Sequence, residues 1–275
     1  MNKTASQLQQ MPAGKQADLS VSAAAALASD FYDDAPPLPD IAGTVPGVRK
    51  TPELFYALPA GDVDKDRNVA LEQIRVLRSR VLEFMHVRNM RSLLVTSAMA
   101  DEGKTITSIN LALALSQVQG TKVLLVDTDL RKPSIAHVLG CEPAPGLIPF
   151  LRSELPLEEC VQELNGQLNL LSARRTANPV ELLHSQQMTA LIDQARSTYN
   201  IVIFDAPPLY CIADSQILSN YVDGVLMCIR AGHTSSRLVT ECSAMVAPKL
   251  IGAVLVGGER QTHGYAYSYY SGKRK

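Results

Sequence analysis

Residues 93–105 are LLVTSAMADEGKT, and this stretch decides the fold. The apolar run at its start predicts a short buried strand, and a helical pattern runs from about residue 104 to 118. The loop between them, Ala98–Thr105, matches the phosphate-binding pattern G-x-x-x-x-G-K-[ST], with alanine at the first glycine. Backbone N–H groups at the start of such a helix favour a phosphate. An ordinary strand–loop–helix turn ending in Gly-Lys-Thr is the alternative.

The composition limits the class of protein. The chain has 275 residues, 46% hydrophobic and 19% charged, which suits one large α/β domain with a tail, or two small domains. A net charge of −1 excludes a generally basic nucleic-acid-coating protein, and we expect no nucleic-acid partner. We expect no transmembrane helix, because the apolar runs are too short. The Ala-rich run at 21–28 starts too late for a signal peptide.

The cysteines and histidines do not suggest a metal site. The five cysteines are odd in number, widely spaced and without a C-x-x-C pair. This usage fits a reducing cytoplasm and argues against zinc. The five histidines also lack the spacing of metal ligands.

Further apolar runs alternate with helical patterns along the chain. The predicted strands lie at about 123–126, 168–172, 201–204, 225–229 and 253–256, and the other helical stretches at 69–87, 156–164 and 186–198. Gly120 ends the helix after the loop. The alternation predicts an α/β fold, a mostly parallel central sheet with helices on both faces, of the P-loop NTPase type.

The two ends of the chain differ from its centre. Residues 1–67 are rich in Gln, Ala and Pro, and predict a mostly flexible N-terminal arm. The domain itself is predicted over 68–258. Residues 259–275 are predicted to form a flexible tail that contains Tyr265, Tyr267, Tyr269 and Tyr270.

Three carboxylates follow predicted strands. Asp127 and Asp129 end one apolar run, and Asp205 ends another. Each acid taken singly also suits a strand-end cap or a turn. In parallel sheets, however, ligands bind at the carboxyl ends of the strands. Together with the phosphate loop, the three acids therefore predict a site for a nucleoside triphosphate with magnesium.

This set of motifs resembles the bacterial tyrosine kinases (BY-kinases) of capsule and exopolysaccharide biosynthesis, over roughly residues 68–275. The family's three motifs correspond to the loop Ala98–Thr105 (Walker A), the acids Asp127 and Asp129 after a hydrophobic run (Walker A′) and the strand ending in Asp205 (Walker B). Asn178-Pro179, followed by Glu181-Leu182-Leu183, resembles the family's segment before Walker B.

The resemblance implies an ATP-dependent protein-tyrosine autokinase with ATPase activity, and ATP and Mg²⁺ as cofactors. It implies that Lys104 neutralises phosphate charge, and that Asp127 orients or deprotonates the tyrosine hydroxyl. Asp129 completes the catalytic set, and Thr105, Asp129 and Asp205 hold magnesium. The implied nucleotide-binding residues are Ala98, Met99, Ala100, Asp101, Glu102, Gly103, Lys104, Thr105 and Thr107.

The resemblance also implies roles for two further segments. The four tail tyrosines, Tyr265, Tyr267, Tyr269 and Tyr270, correspond to the cluster that the family autophosphorylates. The pattern E-x-x-R-x-x-R at Glu72, Arg75 and Arg78 builds a ring-like homo-oligomer in family members. A solvated helix face with pairs inside the helix is the alternative for these three residues.

The family resemblance also implies partners and a location. These are other copies of the chain in a ring, an inner-membrane polysaccharide co-polymerase that acts as activator, and a tyrosine phosphatase. The chain would be cytoplasmic and recruited to the inner face of the plasma membrane by its partner. The expected role is regulation of exopolysaccharide or capsule polymerisation and export.

Two other functions remain open from the sequence. One is a partitioning or positioning ATPase of the related deviant-Walker class, which carries a signature lysine where this chain has Met99 and has no tyrosine tail. The other is a degenerate nucleotide-binding scaffold of a polysaccharide export complex, since the loop departs from the family pattern at Ala98 and at Asp101, where relatives have glycine.

Overall fold

The structure is a computed structural model that describes residues 63–142, 144–210 and 212–257. Its strands are β1 (Ser92–Ser97), β2 (Val123–Asp127), β3 (Gln162–Asn165), β4 (Leu168–Leu171), β5 (Ile201–Asp205), β6 (Gly224–Arg230) and β7 (Leu250–Val256). Its helices are α1 (Val63–Val87), α2 (Lys104–Ser116), α3 (Ile135–Leu139), α4 (Leu147–Leu151), α5 (Leu157–Cys160), α6 (Pro179–Leu183), α7 (Gln186–Thr198), α8 (Asp214–Ser219) and α9 (Ser236–Val246), the last followed by a short 3₁₀ turn at Ala247–Lys249.

The seven strands form one sheet in the order β3-β4-β2-β5-β1-β6-β7. All neighbouring strands are parallel except β3, which runs antiparallel to β4. The predicted fold class is therefore confirmed. The register of β2 and β5 places Asp127 directly opposite Asp205, so two of the predicted site acids meet at the carboxyl edge of the sheet.

Apolar side chains fill both faces of the sheet, which explains the continuous apolar runs. Because successive strand residues point to opposite faces, Leu94, Val126 and Phe204 enter one core. The residues that precede them enter the other core, which the helix after the phosphate loop covers: Leu93, Leu125 and Ile203. The two cores hold the strand ends, and therefore the site, in a fixed arrangement.

The predicted helix over 156–164 is wrong beyond Cys160. Only Leu157–Cys160 is helical, and β3 follows and pairs with β4 in a hairpin. The side chain of Asn165 closes the turn, because its Oδ1 accepts hydrogen bonds from the backbone N–H groups of Gln167 (2.9 Å) and Leu168 (2.8 Å). The apolar residues over 156–164 are spaced as in a helix. The reason is that the short helix and the strand after it together place buried residues three to four positions apart.

The first described helix begins at Val63 and continues to Val87. The four tail tyrosines, most of the arm and Cys211 lie outside the described residues, and the domain limits stay predictions. Within the described part of the chain, no helix has the length and apolar character needed to span a bilayer. The cysteines there are free thiols: Cys141, Cys160, Cys228 and Cys242.

Candidate active site

The phosphate loop joins β1 to α2 and includes two residues with left-handed backbone. Gly103 has φ +84°, and a Cβ there would lie 3.0 Å from Cγ1 of Val256, so glycine is required. Asp101 has φ +61°, a conformation that costs energy for any residue except glycine. Asp101 therefore holds a backbone conformation that glycine adopts more easily, and it also places a carboxylate in a loop suited to anions.

Glu102 anchors this loop to the neighbouring strand. Its side chain is fully buried. Oε2 accepts a hydrogen bond of 2.6 Å from the backbone N–H of Met99, and Oε1 accepts one from the hydroxyl of Thr234 and one of 3.3 Å from the backbone N–H of Arg230. Sequence reasoning placed Glu102 only among the nucleotide-binding residues. An acid inside an anion-binding loop was the available signal, because such an acid needs its own donors.

Lys104 is buried among carboxylates at the start of α2. Its Nζ donates to Oδ2 of Asp129 at 3.0 Å. Burial alone would lower the pKa of Lys104, but the charges of Asp205 and Asp129 outweigh it, with a smaller contribution from Asp127, so the pKa is raised. The ammonium is therefore charged and held at the carboxyl edge of the sheet, where a phosphate would lie.

Asp205 is fully buried, and two hydroxyl groups of α2 lie within hydrogen-bonding distance of its carboxylate. Thr105 Oγ1 donates to Oδ2 at 2.7 Å, and Ser108 Oγ lies 3.0 Å from Oδ1. Burial raises the pKa of Asp205, while Lys104 and the two hydroxyl groups oppose that rise. The structure thus brings together Thr105 and Asp205. Ser108 was missed, although its position one helical turn after Lys104 was a signal.

Asp127 is held by backbone groups. Its Oδ2 accepts from the N–H groups of Ser134 (2.9 Å) and Ile135 (3.1 Å), and its Oδ1 accepts from the N–H of Asp129 (3.2 Å). Burial and then the charge of Asp205 raise the pKa of Asp127 to about 7, against the effect of the hydrogen bonds from Ile135 and Ser134. The carboxylate is therefore fixed in direction and close to the other acids.

A hydrogen bond to Asp129 and an ion pair of Arg131 hold the loop after β2 in place. Asp129 Oδ1 accepts from the N–H of Lys132 at 3.0 Å. Arg131 makes a bidentate pair with Asp214, with bonds of 2.9 and 3.0 Å. Asp214 is fully buried at the start of α8, so this pair ties the loop to the segment that follows β5. The sequence carried no motif that indicated Asp214.

The charge balance of the site fits a divalent cation. Three buried carboxylates, Asp127, Asp129 and Asp205, surround one buried ammonium, Lys104, which gives a formal charge of −2 when all are ionised. In the part of the chain that the structure describes, no three His, Cys, Asp or Glu side chains form a complete metal cluster. Two acids and the Thr105 hydroxyl suit magnesium, which keeps water and phosphate oxygens among its ligands.

The remaining predicted residues lie farther from this cluster. Thr107 lies on α2 near the thiol of Cys228, whose pKa burial raises to about 12. On α1, Arg75 pairs with Glu72 at 3.1 Å within the helix. Arg78 donates to the carbonyl of Ala114 on α2 at 3.3 Å. The pair within the helix is the contact that the solvated-face alternative predicts, and a role in oligomerisation stays a prediction.

A parallel sheet with a phosphate loop after β1, and acids at the ends of β2 and β5, defines a P-loop nucleotide-binding protein. Residues 100–246 match the family described as AAA domain, and the chain belongs to it. The chain is 39% identical over 208 residues to the tyrosine-protein kinase YwqD of Bacillus subtilis (strain 168), covering 74% of this chain and 86% of that protein. This chain therefore belongs to the family of bacterial tyrosine-protein kinases, as the motifs predicted.

Two further comparisons agree with this membership. The solved kinase domain of the Escherichia coli tyrosine kinase ETK superposes with a TM-score of 0.64 at 29% identity, over 70% of this chain and 77% of that one. The succinoglycan biosynthesis transport protein ExoP of Rhizobium meliloti (strain 1021) is 29% identical over 231 residues. That match covers 80% of this chain but only 29% of ExoP.

Proposed function

We propose that the chain is an ATP-dependent tyrosine kinase that phosphorylates its own C-terminal tyrosines and thereby regulates exopolysaccharide or capsule polymerisation and export. The observation that carries the proposal is the cluster of Lys104 with Asp127, Asp129 and Asp205 at the carboxyl edge of the sheet. Family membership supports the phosphoryl-transfer chemistry. The proposed acceptors are Tyr265, Tyr267, Tyr269 and Tyr270.

The loop and its lysine bind the triphosphate in this proposal. Backbone N–H groups of Ala98–Thr105 and the start of α2 face the phosphates, and Lys104 neutralises charge on them. Thr105, Asp129 and Asp205 would hold magnesium, which would supply neutralisation of phosphate charge. Phosphoryl transfer needs little more than positioning and electrostatic stabilisation, so this small set of side chains is sufficient in kind.

Asp127 prepares the attacking tyrosine. Three backbone N–H groups occupy three of the four lone-pair positions of its carboxylate, which leaves one on Oδ1 to accept from a hydroxyl. The tyrosine oxygen forms a bond to the transferred phosphorus, the bond from that phosphorus to the departing diphosphate breaks, and the hydroxyl proton passes to Asp127 Oδ1. The backbone contacts keep the carboxylate aimed during this step.

The proposed setting of the reaction is an assembly at a membrane. Copies of the chain pack in a ring-like homo-oligomer through Glu72, Arg75 and Arg78, and each tail reaches a neighbouring site. An inner-membrane polysaccharide co-polymerase activates the kinase from the cytoplasmic face, and a tyrosine phosphatase reverses the modification. The similarity to ExoP, which is named for succinoglycan biosynthesis and transport, supports the link to polysaccharide export.

The test is incubation of the purified chain with radiolabelled ATP and magnesium, followed by phosphotyrosine mapping. The wild type should label the tail, and Asp127→Asn should lose most of the label while it still binds nucleotide. Asp193→Asn, a change at an exposed acid of α7, is the matched control and should label normally. Absence of label in the wild type with magnesium and activator present, or full label in Asp127→Asn, would overturn the proposed function.

A further inference from the structure

A second concave site lies at the end of β4, apart from the acid cluster. It is a cavity of about 350 Å³, near the lower end of the range of about 300–1,000 Å³ found for ligand pockets. Three arginines and apolar groups of α4 line it. The lining residues that matter here are Ile148, Pro149, Arg152, Arg174, Arg175 and Thr176.

Backbone contacts connect the two segments that line this cavity to each other and to the loop after β2. The backbone N–H of Leu147 donates to the carbonyl of Ser172 at 2.8 Å. Gly146 packs so closely that a Cβ would lie 2.3 Å from the same carbonyl oxygen. On the other side, the N–H of Thr176 donates at 3.1 Å to the carbonyl of Leu130, three residues after Asp127. The cavity and the proposed base are therefore joined through one short, hydrogen-bonded loop.

The cavity carries unbalanced positive charge. Arg174 and Arg175 are exposed and form no ion pair with any described residue. Glu154 also lines the cavity, where it lies 3.9 Å from Arg152 and is itself exposed, so the three arginines exceed the one acid by two charges. Guanidinium groups bind phosphate oxygens through paired hydrogen bonds. The apolar side chains of Ile148 and Pro149 beside them offer a surface for an aromatic ring. Arginines next to an apolar wall suit an aromatic phosphate ester.

We propose that this cavity, here called the arginine pocket, binds a phosphotyrosine of the C-terminal segment of a second copy of the chain. The inference rests on the proposed function. The segment Glu259–Lys275 carries four basic and one acidic residue, a charge of +3 before modification, so the arginines repel it. Each phosphate adds about −1.5 to −2. One phosphate leaves the segment at about +1 to +1.5, so the attraction comes from the phosphate group itself at the guanidinium groups, and docking requires a first phosphorylation.

The spacing of the tyrosines explains how docking speeds the later phosphorylations. Tyr265, Tyr267 and Tyr269 alternate, so in an extended peptide their side chains recur about every 7 Å on one face. A phosphotyrosine held in the arginine pocket keeps the segment beside the loop after β2, where another tyrosine reaches Asp127. The first phosphorylation is then slow and later ones are faster, because the segment no longer has to be captured from solution.

The kinetic test compares the paired change Arg174→Ala and Arg175→Ala with Arg237→Ala, an exposed arginine of α9 that pairs with Glu241. Each is made in the full chain and in a chain that keeps only Tyr267, the other three tail tyrosines being Phe. Mass spectrometry follows each site with time. We expect the paired change to leave the single-tyrosine rate unchanged and to slow the later phosphorylations of the full tail about tenfold, the effect of losing one good charged contact. Arg237→Ala should change neither.

The outcomes separate the two proposals. If the wild-type single-tyrosine chain is never labelled, the proposed function has failed, and the peptide binding below still tests the pocket. If the paired change slows the first and the later phosphorylations equally, or slows neither, the arginine pocket does not hold the modified segment.

Binding is measured without catalysis. A peptide of residues 261–273 with phosphotyrosine at 267 should bind the wild-type chain by fluorescence anisotropy, and bind the paired variant about tenfold more weakly. The unmodified peptide should bind neither. Equal binding of both peptides, or competition by inorganic phosphate as strong as by the phosphopeptide, would overturn the proposal. The second result would indicate a site for free phosphate.

Discussion

The Nζ atom of Lys104 lies 3.0 Å from Oδ2 of Asp129, and both side chains are almost completely buried. One ammonium thus offsets one of the three negative charges in a group of carboxylates that includes Asp127 and Asp205. Substitution of Lys104 therefore affects stability as well as chemistry, although a loop lysine is ordinarily expected to contribute little to the core. Substitutions at Lys104 and Asp129 can therefore separate the effect on stability from the effect on activity.

Lys104→Met should abolish phosphotyrosine on the tail and lower the free energy of unfolding by about 3 kcal/mol, because it leaves Asp129 buried without its counter-charge. Denaturant unfolding measures the loss. The double change Lys104→Met with Asp129→Asn should recover much of that stability but none of the activity. Equal stability of the wild type and Lys104→Met would show that the pair contributes nothing to the fold.

Asp101→Gly should raise the affinity for ATP, since it removes a carboxylate beside the phosphates and suits the left-handed backbone at φ +61°. Asp101→Asn is the matched control, because it removes the charge and keeps a side chain that tolerates this conformation. Relief of about 0.5–1 kcal/mol of repulsion corresponds to roughly a two- to fivefold gain for both variants. Unchanged affinity in both, measured by titration calorimetry, would mean that Asp101 points its charge away from the nucleotide.

Asp223 should give a pH-dependent contribution to stability. It accepts hydrogen bonds from the N–H groups of Arg91 (2.8 Å) and Ser92 (2.9 Å), and pairs with Arg196. Partial burial alone would raise the pKa of Asp223, but these contacts outweigh it and lower the pKa below its ordinary value of 3.8. The stabilisation is therefore complete above about pH 4 to 5 and is lost as the pH falls through the lowered pKa.

Asp223→Asn should accordingly cost about 1–3 kcal/mol at neutral pH, and less as the pH drops below 3.8. Urea unfolding at several pH values measures the difference from the wild type. Asp193→Asn, at an exposed position of α7, is the control and should show little difference at any pH. A constant difference across the pH range would contradict the assigned pKa direction.

The predicted ring surface divides into two parts that mutation can distinguish. Arg78 contacts the carbonyl of Ala114 on α2, so Arg78→Ala should lower stability by about 1 kcal/mol. Glu72→Ala with Arg75→Ala removes only a pair within α1 and should leave stability within about 0.5 kcal/mol. It should nevertheless shift the oligomer toward monomer in light scattering.

The pair Arg80 and Glu83, 3.7 Å apart on the same helix, provides the control for this double change. Changing Arg80 and Glu83 to alanine should leave the size distribution unchanged. If the wild type stays monomeric with and without nucleotide, Glu72 and Arg75 belong to an ordinary solvated helix face and have no role in oligomerisation.

The central strands β1, β2 and β5 were predictable because each lies buried on both faces. β3 has a single buried residue and was not predicted. Leu93-Leu94-Val95 and Ile201–Phe204 are continuous apolar runs, and such runs suit little besides a parallel strand or a buried helix. The short helices, such as Ile135–Leu139 and Asp214–Ser219, have one or two turns, too few for a periodic pattern to stand out. Tertiary contacts rather than local preference define them.

The candidate site was predictable where a motif marks its polar groups, at the start of a helix for Lys104 and at strand ends for Asp127 and Asp205. The supporting groups were not. Asp214 and Glu102 act through partners more than 80 residues away in the chain, Arg131 for the former and Arg230 and Thr234 for the latter. No local pattern encodes such contacts, because they depend on which loops the sheet topology brings together.

The central claim is that this acid cluster transfers phosphate to the tail tyrosines of a neighbouring copy. The most direct measurement mixes two chains, neither of which can label its own tail. One is Lys104→Met with its tail intact, and the other has an intact site but carries Phe at Tyr265, Tyr267, Tyr269 and Tyr270. The account predicts no tail phosphotyrosine in either chain alone with ATP and magnesium, and phosphotyrosine on the Lys104→Met chain after mixing. Tail phosphotyrosine on Lys104→Met alone, or none after mixing while the wild type labels itself, would contradict it.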